Sequence, residues 1–225
     1  MFHVIECSGL SRSFPAGDAV SRALLERAVP AGGAQRSEGV LLLAGAGAGD
    51  AFRLIDPRNW RAVAIELDNE CLGVHTGEAR GDEGSNVVGF ARFRLGKAEP
   101  TPLVELVRQP ATQADAIAAV REVLEGAGLV VAVCGDFPGR IVNRLIRPYL
   151  NDALRRLDER LATADDLDTT LRLGLGYPEG PISLLERTGL AEHYEVTRAL
   201  HEALGDHAFA PARRAQVAWA RRARG

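Results

Sequence analysis

The stretch Asp136-Phe-Pro-Gly-Arg-Ile-Val-Asn-Arg-Leu-Ile-Arg-Pro-Tyr-Leu150 divides this chain in two. Before it, apolar runs of strand length alternate with helical periods; after it, every pattern is helical. The run Leu129-Val-Val-Ala-Val133 leads into it, and Pro138 stands where a first-turn proline is tolerated, because its missing N–H is unpaired there in any case. Asp136 is the expected cap, with a favourable charge for that helix N-terminus. From Ile141 the apolar residues fall at 141, 142, 145, 146, 149, 150, 153, 154, 157 and 161, a helical period whose stripe is wide enough for more than one neighbour. This is the expected central helix of a second domain. Asn143, Arg147 and Asn151 form a polar row at i, i+4 spacing on it, and Pro148 predicts a kink.

Working back to the start, Phe2–Cys7 reads as a short edge strand and 8–17 as a loop. Asp18–Val29 reads as a capped amphipathic helix stopped by Pro30-Ala-Gly-Gly33. Gly39–Ala44 is an apolar run followed by the glycine-rich turn Gly45-Ala-Gly-Ala-Gly-Asp50; a short helix over Ala51–Ile55 and a strand over Arg61–Leu67 complete a βαβ unit. Glu66 and Asp68 lie at the distance of a ribose-binding acid, but Asp50 stands where a dinucleotide turn needs its third glycine, so a plain tight turn is the simpler assignment. Cys71–Asn86 is expected to be a loop in which His75 is solvated. Strands follow at Val87–Phe93, Pro102–Val107 and Leu129–Val133, with a helix opened by Thr112 and Asp115 and running to Glu125. The alternation predicts an open, largely parallel sheet covered on both faces.

Composition narrows the rest. A formal charge of −3 with both signs mixed gives no reason to expect nucleic acid or an anionic membrane surface. Lys97 is the single lysine against many arginines, a bias attributed to base composition. Cys7, Cys71 and Cys134 are dispersed without a CxxC, which fits a reduced, cytoplasmic protein. No apolar run reaches membrane-span length and no signal peptide opens the sequence. His193, His201 and His207 read as surface residues of the penultimate helix, without metal-ligand spacing.

Asp136–Arg144, Pro148-Tyr-Leu-Asn-Asp-Ala153, Asp165–Pro181 and Leu184–Leu190, in this order, resemble the C-terminal domain of the L-3-hydroxyacyl-CoA dehydrogenases. The similarity runs from about Val87 to Pro211 and fades over Val40–Leu72. It implies a shortened, mostly parallel Rossmann-like α/β domain over 1–136, then an all-helical dimerisation domain over 137–225. It also implies hydride transfer between NAD and an acyl-CoA-like substrate, with a His base, a Glu that orients it, and Ser and Asn on the substrate carbonyl. Leu103-Val104-Glu105 matches the segment of the orienting glutamate, and Asn143 matches the substrate asparagine. The histidine's place in the strand Gly89–Phe93 is held by Ala91 or a close neighbour, the serine's by Glu70 or Cys71, and on that register the cofactor strand and its glycine fingerprint are missing. The expectation is a homodimer through the C-terminal helices in which NAD binding is weak or absent. Dehydrogenation would then be impaired or lost, with an acyl-thioester cleft or an assembly role retained. The alternative is an active oxidoreductase with displaced catalytic groups. Glu105 has a structural alternative too, an ion pair with an arginine.

Overall fold

The computed structural model describes residues 1–7, 11–29 and 37–224. These fall into two compact units, 1–94 with 100–140, and 95–99 with 141–225. The expected helix stop at 30–33 and positions 8–10 of the expected first loop lie outside the described residues.

The first unit is built on a six-stranded sheet in sequence order: β1 (Phe2–Glu6), β2 (Ser37–Ala44), β3 (Trp60–Glu66), β4 (Val87–Arg92), β5 (Leu103–Arg108) and β6 (Val130–Gly135). All neighbours run parallel except β4 and β5, which are antiparallel. The mostly parallel sheet therefore agrees with expectation, and β1 is indeed an edge strand. Alternation along β2 feeds two cores: Val40, Leu42 and Ala44 join Phe90, Leu106 and Leu124 on one face, while Leu41 and Leu43 join Val63, Ile65 and Val107 on the other. Around the sheet lie α1 (Ala19–Arg27), α2 (Ala48–Phe52), α3 (Gly73–Thr76) and α4 (Ala114–Gly126).

Asp18 caps α1 as expected, accepting from the Ser21 N–H at 3.0 Å. Its other partner is the buried guanidinium of Arg92, at 2.6 Å. Burial works against the charged carboxyl of Asp18, but the bonds from Arg92 and Ser21 outweigh it and hold that group below its ordinary range. The segment Cys71–Asn86 is not wholly loop, because α3 lies within it. Thr112 does not open α4: its hydroxyl accepts from the Gln109 N–H, and Asp115 pairs with Arg61.

The second unit consists of α5 (Val142–Asp158), α6 (Ala164–Leu175), α7 (Pro181–Thr188), α8 (Leu190–Leu204) and α9 (Arg213–Arg222). The turn between α6 and α7 behaves as its glycines and prolines suggested. Gly176 ends α6 at φ +70°, Pro181 opens α7, and Gly180 has no room for a Cβ, which would lie 2.3 Å from Asp168. The Asp168 carboxylate caps α7 from α6, accepting from Ile182 N at 2.8 Å and Ser183 N at 2.9 Å.

The opening of α5 differs from expectation. The helix begins at Val142, after a turn in which Gly139 and Arg140 both have positive φ, +79° and +50°. Two successive left-handed residues cannot belong to a right-handed first turn, so Pro138 lies outside the helix. Asp136 caps α3 instead, accepting from Leu72 N and Gly73 N at 2.7 Å each. Pro148 lies inside α5.

A larger difference concerns the polar row of α5. Leu150, Ala153 and Leu154 of the apolar stripe are buried as expected and Leu145 is exposed, but Asn143, Arg147 and Asn151 are inside as well. His193 of α8, expected at the surface, is 1% exposed and completes that row. Arg147 donates through Nε to Asn143 Oδ1 at 2.9 Å, and its NH1 lies 2.8 Å from His193 Nδ1; His193 Nε2 lies 2.9 Å from Asn151 Oδ1. An arginine has only donors, so His193 Nδ1 must accept, and the ring proton sits on Nε2, where Asn151 Oδ1 takes it. Asn151 Nδ2 then donates to Ala208 O. Satisfied polar groups thus share this seam with the packed hydrocarbon of Leu150 and Leu154.

Candidate functional site

Glu105 and Asn143 fall in different units, so each is described within its own. In the first unit the antiparallel register sets Ala91 directly opposite Glu105. Cross-strand partners share a face, so a histidine at 91 would lie beside that carboxylate. In its absence Glu105, 1% exposed, is engaged by Arg140, whose Nε lies 3.2 Å from Oε2. The Arg140 NH2 also donates to Asp68 O at 2.8 Å. This arginine holds its left-handed backbone, costly for a residue with a Cβ, while its side chain is 7% exposed. Among the alternatives for Glu105, the structure contains the ion pair. Sequence reasoning did not single out Arg140, because its partner lies 35 positions away and no local pattern links them.

Two thiols border the same region, and neither is poised as a nucleophile. Burial, followed by the charge of Glu105, pushes the Cys134 thiol up to about 11; burial, followed by Asp136, does the same for Cys71, also to about 11. His75 is not solvated. Its side chain is 11% exposed, Nε2 lies 3.5 Å from Glu70 Oε1, and the ring fills the space where a Cβ on Gly49 would sit.

The glycine-rich turn does not fit a dinucleotide. The helix after it, α2, has five residues, too few to focus a field on a pyrophosphate, and Asp50 within it pairs with Arg53. The Glu66 carboxylate is spent internally: Oε2 accepts from Gly45 N at 2.6 Å and the Ser11 hydroxyl at 2.7 Å, and Oε1 accepts from Ser13 N at 2.6 Å. Asp68 pairs with Arg12. Glu66, at the distance of a ribose-binding acid, and the first N–H of the glycine-rich turn are therefore bonded to each other. Among the described residues no cluster of His, Cys, Asp and Glu is arranged to hold a metal ion.

In the second unit Asn143, 8% exposed, accepts from Arg147. The polar row at i, i+4 spacing was visible in the sequence, but not that it would be buried, and its fourth member, His193, left no trace in the sequence around α5.

Residues 139–223 match the family model described as 3-hydroxyacyl-CoA dehydrogenase, C-terminal domain. This helical half belongs to the 3-hydroxyacyl-CoA dehydrogenase family. A probable 3-hydroxybutyryl-CoA dehydrogenase of Deinococcus radiodurans is 34% identical over 115 residues, 50% of this chain and 41% of that protein. The human mitochondrial hydroxyacyl-coenzyme A dehydrogenase is 37% identical over 100 residues, 44% of this chain and 32% of that protein. The matches thus span about two-fifths or less of these relatives. Among solved structures, the (S)-3-hydroxybutyryl-CoA dehydrogenase of Ralstonia eutropha superposes with a TM-score of 0.66 at 21% identity, over 86% of this chain and 70% of that one, which bears on the fold alone. The Escherichia coli K12 3-hydroxybutyryl-CoA dehydrogenase gives 0.66 at 25% identity, over 86% of this chain and 42% of that chain. The Rossmann-like fold of these dehydrogenases is thereby shared. No described helix is long and apolar enough to cross a membrane.

Proposed function

We propose that this is a 3-hydroxyacyl-CoA dehydrogenase-like protein that has given up NAD-dependent dehydrogenation and acts in binding or assembly. The observation that carries this is the pair of positions 91 and 105: alanine faces the glutamate that should orient a base, and Arg140 holds that glutamate. Hydride transfer from an alcohol needs a proton acceptor poised near the working pH, and an ion-paired carboxylate opposite a methyl group does not supply one. The internal use of Glu66 and the short α2 support the same conclusion for the cofactor. Calorimetry with NAD and NADH is expected to be flat at millimolar cofactor. A dissociation constant in the low micromolar range would instead favour an active oxidoreductase with displaced groups.

Assembly is the second part of the proposal, with an acyl-CoA-like molecule as the candidate ligand and the cytoplasm as the expected compartment. In α6 no residue is buried, and Leu173 and Leu175 on it, with Leu145 on α5, are exposed. Apolar helix faces of this extent ask for a partner. A two-fold homodimer through the helical unit is expected, and light scattering that returned a monomer of 24.1 kDa from micromolar concentration upward would remove it.

A further inference from the structure

The face of the sheet opposite Ala91 and Glu105 carries a cavity of about 420 Å³ in the first unit. Val4 of β1 and Leu42 and Ala44 of β2 form its floor, Leu24 of α1 one wall, and Phe14 of the segment before α1 another. Protein interiors keep few voids larger than a water molecule, so an apolar space of this size is suited to an occupant. It lies toward the carboxyl ends of two parallel strands, the end at which open α/β sheets bind ligands.

We propose that this cavity binds a small, largely hydrocarbon molecule whose polar end is neutral or cationic. The inner polar groups are already satisfied: the single proton of the Ser21 hydroxyl has Pro15 O at 3.2 Å and Asp18 Oδ2 at 3.1 Å as acceptors, and Asp18 is paired with Arg92. The wall therefore recognises hydrocarbon and little else. At the mouth stand the exposed Glu6 and Glu26, with Arg22 as the one cation among the described lining residues, so these groups together carry a net negative charge. An anionic end would be repelled and an ammonium attracted.

The test uses three probes of one ring, indole, tryptamine and indole-3-acetate, titrated by calorimetry into the full chain. Tryptamine is expected to bind about ten-fold more tightly than indole-3-acetate, the sum of a modest attraction and a modest repulsion at two exposed carboxylates. The Glu6→Gln/Glu26→Gln variant should shrink that ratio to about two-fold while indole is unchanged. Ala16→Trp and Leu25→Trp alter exposed lining positions, so the fold persists, and each should block the cavity and weaken all three probes by about ten-fold or more. The proposal is overturned if no probe binds, if both tryptophan variants bind like wild type, or if tryptamine and indole-3-acetate bind equally.

Discussion

Replacing Arg147 with methionine is expected to destabilise the helical unit by about 2–5 kcal/mol, although the side-chain volume is nearly conserved. The change leaves His193 Nδ1 and Asn143 Oδ1 buried without this donor, and each such group costs about 1–3 kcal/mol. Trp219, 5.0 Å from Tyr194, reports on this unit in denaturant titrations once Trp60 is changed to phenylalanine. Adding His193→Leu to Arg147→Met should cost less than the sum of the two single changes, because the charge and its acceptor leave together. Additivity would show that the two side chains are not coupled.

The same network gives the unit a defined pH response. Burial, and then the charge of Arg147, hold the His193 imidazole well below its ordinary 6.5. The folded state therefore excludes a proton that the unfolded chain accepts. Stability from this site is fully present above pH 6.5 and falls as the pH drops below it, with a slope approaching about 1.4 kcal/mol per pH unit until the folded-state value is reached. His193→Gln should flatten that slope between pH 6.5 and 5. An unchanged slope would assign the acid sensitivity to carboxylates elsewhere.

The second large effect concerns turnover. Wild type should show no NAD-dependent oxidation of 3-hydroxybutyryl-CoA, nor reduction of acetoacetyl-CoA by NADH, above background. A positioned general base is worth about 10²–10⁴ in rate. Ala91→His alone restores an imidazole opposite Glu105 but leaves that carboxylate on Arg140. Ala91→His with Arg140→Ala frees the glutamate and gives it a new partner, so the double variant should exceed the single one by ten-fold or more if the substrate site persists. Arg140→Ala alone should be the least stable of the three, because it strands a buried carboxylate at a cost of about 3–5 kcal/mol. Activity in wild type that Glu105→Gln abolishes would instead show that the carboxylate had taken over the base's role.

Much of this protein was legible without coordinates, because much of it is local. Strand runs such as Val40-Leu-Leu-Leu43, the Asp18 cap, and the Gly-Pro turn before α7 depend on neighbours a few residues away, and those neighbours are written next to one another. The family motifs from Asp136 to Leu190 carried the helical half, and the place left for a base at Ala91 was visible as an absence. What the sequence could not reveal is which distant groups meet. The aspartate that looked like the cap of α5 caps α3, 63 and 64 positions back, because left-handed residues at 139 and 140 turn the chain away first. Glu66 is consumed by Ser11, Ser13 and Gly45, and Glu105 by Arg140, pairings fixed only when the strands align. Periodicity placed the apolar stripe of α5 inside at Leu150, Ala153 and Leu154 but gave no sign that the polar row would be buried with it. That row entered because α8 brought His193 to satisfy it. Hydrophobicity along a helix is a property of one element, whereas satisfaction of a buried donor needs its partner in place, and tertiary structure alone supplies that.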